Sequence, residues 1–307
     1  MPPSPHRPSA LAWRVFRGSE AVRRGLLTRH QLRGASWIRV RQDVYADARL
    51  DRDHALACQA TVLRLPPEAV IAGPSAAFLH GVVHAAGFGD VVHVRVPRTV
   101  RLNSVGGIRV HTSDGVIPSG QVGVDGAART AAALPRSDPA QAAWETAAWL
   151  EPVRAVGIVD ALLGMGLTSR DALAETASRQ AHRPGGRRAA RVFDLADPGA
   201  QSPPESHLRV RLVLGGLPRP VAQHPVRLPS GLVLHPDLAW PEFRVAVEYD
   251  GQWHADPDQL HRDRRRLNQL VAAGWIVLHV TSRRFRNDFP ALLGEIRTAL
   301  AARGWRR

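Results

Sequence analysis

The chain has 307 residues, 44% hydrophobic and 22% charged, which suits one large core or two or three smaller ones and excludes a disordered polymer. Its formal net charge is +14, and all 41 basic residues are arginine; this excess points to a polyanionic partner, DNA ahead of a membrane surface. A single cysteine, Cys58, excludes an internal disulfide and a multi-cysteine zinc site, and no apolar run is long enough to span a bilayer, so a cytoplasmic protein with no membrane partner is expected.

From the N-terminus, "SEAVRRGLL" and "TRHQLRG" have short helical patterns with Ser19 and Thr28 as candidate N-caps, and "WIRVRQDVYA" alternates as strands do. Residues 1–50 therefore predict a small winged helix. Residues 51–135 predict a small α+β region: a helix from about Arg52 to Arg64, a helix "PSAAFLHGV" capped by Ser75, and two paired strands, "DVVHVRVP" and "GIRVHTS". Residues 136–200 read as a helical connector, ended by the Pro/Gly cluster "ADPGAQSPPES". Residues 201–307 predict the order αβββαβα, a mixed sheet flanked by helices, so the chain as a whole is expected to be mixed α/β.

The chemistry concentrates in "HPDLAWPEFRVAVEYDGQWH". Side chains alternate along a strand, so Glu248 and Asp250 share a face with Ala246, about 6 to 7 Å apart. If Pro241 to Arg244 form the hairpin loop, Trp240 pairs with Val245 and Asp237 falls opposite Glu248, with Cβ atoms about 5 Å apart. A two-residue turn sets Asp237 opposite Ala246, still on that face, whereas a three-residue loop sends the acids to opposite faces. Acids so gathered repel unless a cation or arginines compensate. Oxygen donors favour Mg²⁺ or Mn²⁺, and such an ion supports phosphodiester hydrolysis. The alternative is a solvated acidic hairpin edge paired with arginines.

In the following helix Asp256 is a candidate cap, and Leu260, Leu267, Leu270 and Val271 form the expected buried stripe, with Asp263 inside it. Arg262, Arg265 and Arg266 are expected to project outward toward phosphates. His254 reads either as a general base or phosphate donor, or as a structural hydrogen-bonding residue.

"PDLAWPEFRVAVEYDGQWH" followed by "RDRRRLNQLVAAGWIVLHVT" resembles the Vsr-like endonuclease domains of the PD-(D/E)XK superfamily, over the chain from Glu205 onward. The resemblance implies a restriction-endonuclease-like fold, Asp237 as the metal-binding aspartate, Glu248 as the second acid and Glu205 as the helix glutamate completing the cluster. The superfamily's ExK triplet reads Glu248, Tyr249, Asp250 here, and the chain contains no lysine. The front of the chain, "GLLTRHQLRGASWIRVRQDVYA" with "VIAGPSAAFLHGV" and "VHVRVP", resembles AbiEi-type antitoxins and related regulators, which implies a DNA-binding winged helix and a toxin partner. Two functions follow as expectations: a metal-dependent DNA endonuclease positioned by its winged helix, or a non-catalytic DNA-binding regulator of the antitoxin type.

Overall fold

The computed structural model describes residues 6–113, 133–250 and 257–306, with the backbone alone from 257 to 264. The chain is mixed α/β and divides into two compact units, Met1–Trp149 with Leu167–Pro184, and Leu150–Gly166 with Gly185–Arg307.

The first unit opens with β1 (Val15–Arg17), α1 (Gly18–Arg23), β2 (Trp37–Arg41) and β3 (Val44–Asp47), whose strands form an antiparallel sheet in the order β1-β3-β2. One face of it holds Phe16 and Trp37 over Leu11, Leu27 and Leu32; the other holds Val15, Val44 and Ala46 against α2 (His54–Val62). The expected hairpin forms, but Ser19 does not cap α1. Ser19 lies inside α1, where its hydroxyl donates to Asp43, and the capping position is Arg17. "TRHQLRG" condenses to a 3-10 turn at Gln31–Arg33, because the chain turns at Gly34 and enters β2 before a second helical turn can form. Thr28 Oγ1 still accepts from the Gln31 N–H at 3.2 Å, and Gln31 Oε1 from the Thr28 N–H at 2.7 Å.

β4 (Val70–Ile71), α3 (Gly73–Leu79), β5 (Val92–Pro97) and β6 (Ile108–Ser113) follow, with strand order β4-β5-β6. β5 and β6 pair as expected, in parallel register from Val92 opposite Ile108 to Pro97 opposite Ser113. Ser75 does not cap α3. The capping position is Ala72, Pro74 sits in the first turn, and the buried Ser75 hydroxyl instead meets His54 Nε2 at 2.8 Å and accepts from the His93 N–H at 3.0 Å. Gly73 is required where it stands: its φ is +52° and a Cβ there would come within 2.6 Å of the Trp149 ring.

The helical stretch consists of α4 (Pro139–Trp149), α5 (Pro152–Gly164), α6 (Arg170–Arg179) and α7 (Gly186–Leu195). Its helices alternate between units, with α4 and α6 in the first and α5 and α7 in the second. Glu151 caps α5 and Ser169 caps α6, each accepting backbone N–H groups of the first turn.

The second unit continues with α8 (Pro203–Leu214), β7 (Val221–Ala222), β8 (Val226–Arg227), β9 (Val233–Leu234), β10 (Leu238–Trp240), β11 (Val245–Asp250), α9 (Pro257–Ala272), β12 (Ile276–Thr281), α10 (Ser282–Asn287) and α11 (Phe289–Ala302). The main sheet runs β12-β11-β10-β7. Of the three strands expected before α9, "FRVAVEYD" forms as β11 and the other two are broken at Pro225 and Pro236, residues that cannot donate to a ladder. The segments between the breaks, β8 and β9, pair with each other as a separate hairpin.

Alternation along β10, β11 and β12 sorts the sheet's faces. Leu238, Trp240, Val245, Val247 and Val280 pack against Leu208 and Leu212 of α8 and Leu292, Ile296 and Leu300 of α11. Each such fully buried aliphatic residue contributes about 1.5–3 kcal/mol. The opposite face starts as a second core, Ala239 and Ala246 under Leu270, Trp275 and the β8–β9 hairpin, and continues along the strands into acids. Val271, expected in the buried stripe of α9, is 53% exposed; the stripe is carried by Leu270 and by Trp275 beyond the helix end. Among the described residues no helix is long and apolar enough to cross a membrane.

Candidate functional site

The β10–β11 hairpin sets the site. Its loop is Pro241–Arg244, a 3-10 turn closed by Arg244 in the left-handed region, and the pairing is Trp240 with Val245, Ala239 with Ala246 and Leu238 with Val247. Extending that register by one residue brings Asp237 level with Glu248, on the face that Ala246 buries. β12, parallel to β11, places His279 opposite Glu248 and Thr281 opposite Asp250. Asp237, Glu248, Asp250 and His279 therefore share one sheet face.

Asp237 is held from two sides. Its Oδ2 accepts from the Tyr249 N–H at 2.7 Å, and its Oδ1 from Gln223 Nε2 at 3.2 Å. The same Gln223 amide lies 3.5 Å from Glu205 Oε2. Gln223 has φ +51°, an uncommon conformation for a residue with a side chain, at the end of β7 where the N–H of Gln223 donates to the Asp237 carbonyl. Burial raises the pKa of Asp237 above its ordinary value, the Glu205 charge adds to the rise, and the Tyr249 N–H opposes it.

Glu205 enters from α8. Ser202 caps this helix and Glu205 closes the box: Ser202 Oγ accepts from the Glu205 N–H at 3.4 Å and donates to Glu205 Oε1 at 2.7 Å, while the Gln201 N–H reaches Glu205 Oε2 at 3.0 Å. Farther along α8, the buried Arg209 donates to Asp160 of α5 at 2.7 Å and to the Leu195 carbonyl at 2.5 Å, and Ser206 Oγ donates to Asp160 at 2.7 Å. These bonds tie α8 to α5 and α7 and so fix where Glu205 stands.

Glu248 is the most perturbed acid on the face. Burial pushes its carboxyl up to about 7, with Arg266 opposing the rise and Asp237 adding to it. Its Oε1 is buried and makes no hydrogen bond, although Arg266 NH2 stands 3.2 Å away. Arg266 was expected to point outward. It is half-buried, turned onto Glu248 and donating to the His235 carbonyl as well, because an uncompensated pair of carboxylates attracts the nearest guanidinium. Arg265 is exposed, as expected.

Asp250 does not join the other acids in a shared contact; its Oδ2 lies 3.0 Å from His279 Nδ1. His254 and Asp256 lie outside the described residues, as do the side chains of Leu260, Arg262 and Asp263. Among the described residues no three His, Cys, Asp or Glu side chains come together as a ready metal cage. Two members of the site escaped sequence reading, Gln223 and His279. His279 had a legible signal, the one polar residue in "IVLHV", two places from Val277 and so on the face of Ala246. Gln223 had none, since its role depends on a left-handed backbone.

No family model matches the chain. The uncharacterized protein Rv2248 of Mycobacterium tuberculosis strain H37Rv, and its counterpart MT2308 of strain CDC 1551, are each 34% identical to it over 143 residues, 46% of this chain and 53% of theirs. The chain thus spans about half the length of the curated relatives it matches. A crystal structure of the RV2827C protein from Mycobacterium tuberculosis aligns with 71% of this chain and 80% of its own, at 15% identity and a TM-score of 0.35.

Proposed function

We propose that the second unit is a metal-dependent phosphodiesterase acting on DNA, an endonuclease in which Asp237 and Glu248 hold Mg²⁺ or Mn²⁺. The observation that carries this reading is two half-buried carboxylates set level across a β-hairpin, one of them with a buried oxygen that makes no hydrogen bond. The donor set fits a hard ion: it is all oxygen, and Mg²⁺ commonly takes one or two protein carboxylates and fills its remaining positions with water and phosphate. A bound cation would neutralise the scissile phosphate and favour attack by water.

The chain's own groups have definable tasks. Gln223 orients Asp237, and Glu205 adds negative charge beside it. Arg266 answers the Glu248 charge; were a cation to take over that task, its guanidinium would be free to meet a DNA phosphate, alongside Arg265, with Arg262 as a further phosphate contact. Asp250 orients His279, which serves as the proton carrier of this face in a role first considered for His254.

Incubating the full chain with supercoiled plasmid and with single strands over a series of Mg²⁺ and Mn²⁺ concentrations tests the reading. Nicked or linear product is expected with metal, none with chelator, and none from Asp237→Asn. Intact substrate under every metal, or cleavage that survives Asp237→Asn, would sink the nuclease. One observation favours a second reading, the non-catalytic DNA-binding regulator with a toxin partner: the Glu248 charge is already answered by Arg266 and no lysine is present. Salt-dependent duplex binding without cleavage is its signature.

A further inference from the structure

We infer that the first unit carries a stacking site for an unpaired nucleobase, with the indole of Trp13 as its platform. Trp37, Trp144, Trp240 and Trp275 are all buried, whereas Trp13 is 58% exposed. Its backbone is strained as well, with φ +59°, a conformation that persists in a residue of this size only where its surroundings over-determine it. They do so here. The Trp13 N–H donates to Asp47 Oδ2 at 3.0 Å, the Asp47 N–H donates to the Arg14 carbonyl at 3.1 Å, and the flanking Leu11 and Val15 are buried.

Asp47 also fixes what lies beneath the ring. Its carboxylate, fully buried, accepts from Arg49 Nε at 3.1 Å and from Arg49 NH2 at 2.7 Å, and Arg7 Nε stands 3.4 Å away. Arg49, clamped through two of its nitrogens, holds its guanidinium carbon 4.2 Å from the centroid of the Trp13 ring. One face of the indole is thus backed by a guanidinium tethered to Asp47, and the exposed remainder faces solvent. Single-strand binding sites stack bases on aromatic side chains, with cation–π contributions from arginine.

The charges near the ring select the ligand. Arg49 lies over it, Arg7 meets the same Asp47 carboxylate, the exposed Arg14 follows Trp13 in the chain, and Asp47 is buried and already engaged by Arg49 and Arg7. A nucleotide offers a planar π-face joined to a phosphate, which matches a flat ring bordered by arginines; a neutral aromatic or proline side chain would leave the arginines unused. Bases in an intact duplex have no free face. The site therefore takes a single strand, or a base extruded from a duplex, which is distinct from groove reading by a winged helix. It requires no cleavage, so its failure would leave the nuclease reading untouched.

The test uses the full chain in chelator, so that no cutting intervenes, and fluorescence anisotropy with two labelled strands of equal length: an oligothymidylate and its abasic tetrahydrofuran analogue, which keeps the phosphates and lacks the bases. The expected result is tighter binding of the thymidylate by the wild type. Trp13→Ala should weaken that binding fivefold or more, the lower end of the ~5–150-fold that stacking one base is worth, and leave the abasic strand unaffected. Trp13→Phe should recover part of the loss. A 5-iodouracil strand should photo-crosslink to the peptide containing Trp13 in the wild type, a readout that needs no substitution. Equal affinity for the two strands, an unchanged affinity in Trp13→Ala, or crosslinks confined to other peptides would overturn the inference.

Discussion

Both units of this chain bury carboxylates among donors, and the β10–β11 hairpin of the second unit treats its acids in the opposite way. In the first unit Glu145 accepts from the Gly73 N–H at 2.7 Å, from Ser137 Oγ at 2.9 Å and from Gln141 Nε2 at 3.0 Å, and Arg95 Nε pairs with it at 3.0 Å. Asp160 in the second unit is surrounded in the same manner by Asp197 N–H, Ser206 and Arg209. At the β10–β11 hairpin the acids instead adjoin one another, Glu205 near Asp237 and Asp237 near Glu248, and a single arginine serves Glu248. A carboxylate kept for the fold collects donors until its charge is met. At the hairpin burial raises the pKa of Asp237 and Glu248, as it does for Glu145 and Asp160, but there a neighbouring acid adds to the rise and fewer donors oppose it.

The contrast can be broken most forcefully at Asp160. Asp160→Ala should destabilise the chain by about 3–5 kcal/mol in urea melts, because Arg209 would remain buried and unpaired, whereas Asp237→Asn should leave stability within about 1 kcal/mol of wild type. Equal losses at the two positions would mean that both acids serve the fold. The next effect is at Glu248. Its pKa in the folded chain lies near 7 against an ordinary carboxylate value of 4.5, so the folded state binds more protons than the unfolded state between those values, and stability falls as pH rises across that window. Glu248→Gln should therefore gain stability relative to wild type as pH rises through it, by about 3 kcal/mol at pH 8, with the gain vanishing below about pH 4.5. A difference that is flat with pH would show that the carboxyl titrates normally. Smallest is Gln223→Gly. It relieves the left-handed backbone and removes the bridging amide, so stability should change by about 1 kcal/mol or less while metal-dependent cleavage drops; a stability change without loss of cleavage would make Gln223 a purely structural residue.

Much of the site was legible from one rule, the alternation of strand side chains. That rule put Glu248 with Ala246 and Asp250, and a Pro241–Arg244 loop put Asp237 level with Glu248. What the sequence could not show was which partner each acid takes. Arg266 lies in a run of arginines that reads as a solvated face, and only the nearness of β11 turns it inward. Gln223 acts through a backbone conformation that its residue type does not advertise. The caps failed for a related reason: Ser19 and Ser75 have suitable side chains, yet each is drawn to a tertiary partner, Asp43 and His54 respectively, that lies distant in sequence. Proline was read as a boundary at Ser202–Pro204, where a helix begins, and overlooked at Pro225 and Pro236, where it cuts strands short.

The Ser202–Glu205 box has a wider implication. Both oxygens of Glu205 are occupied by the start of its own helix, so this residue reaches the acid face as a field and not as a ligand. The charge felt by Asp237 and the start of α8 thereby depend on one side chain, so a change at Glu205 disturbs both. A neutral isostere such as Glu205→Gln separates the two, since it can still bond to the helix start while switching the field off.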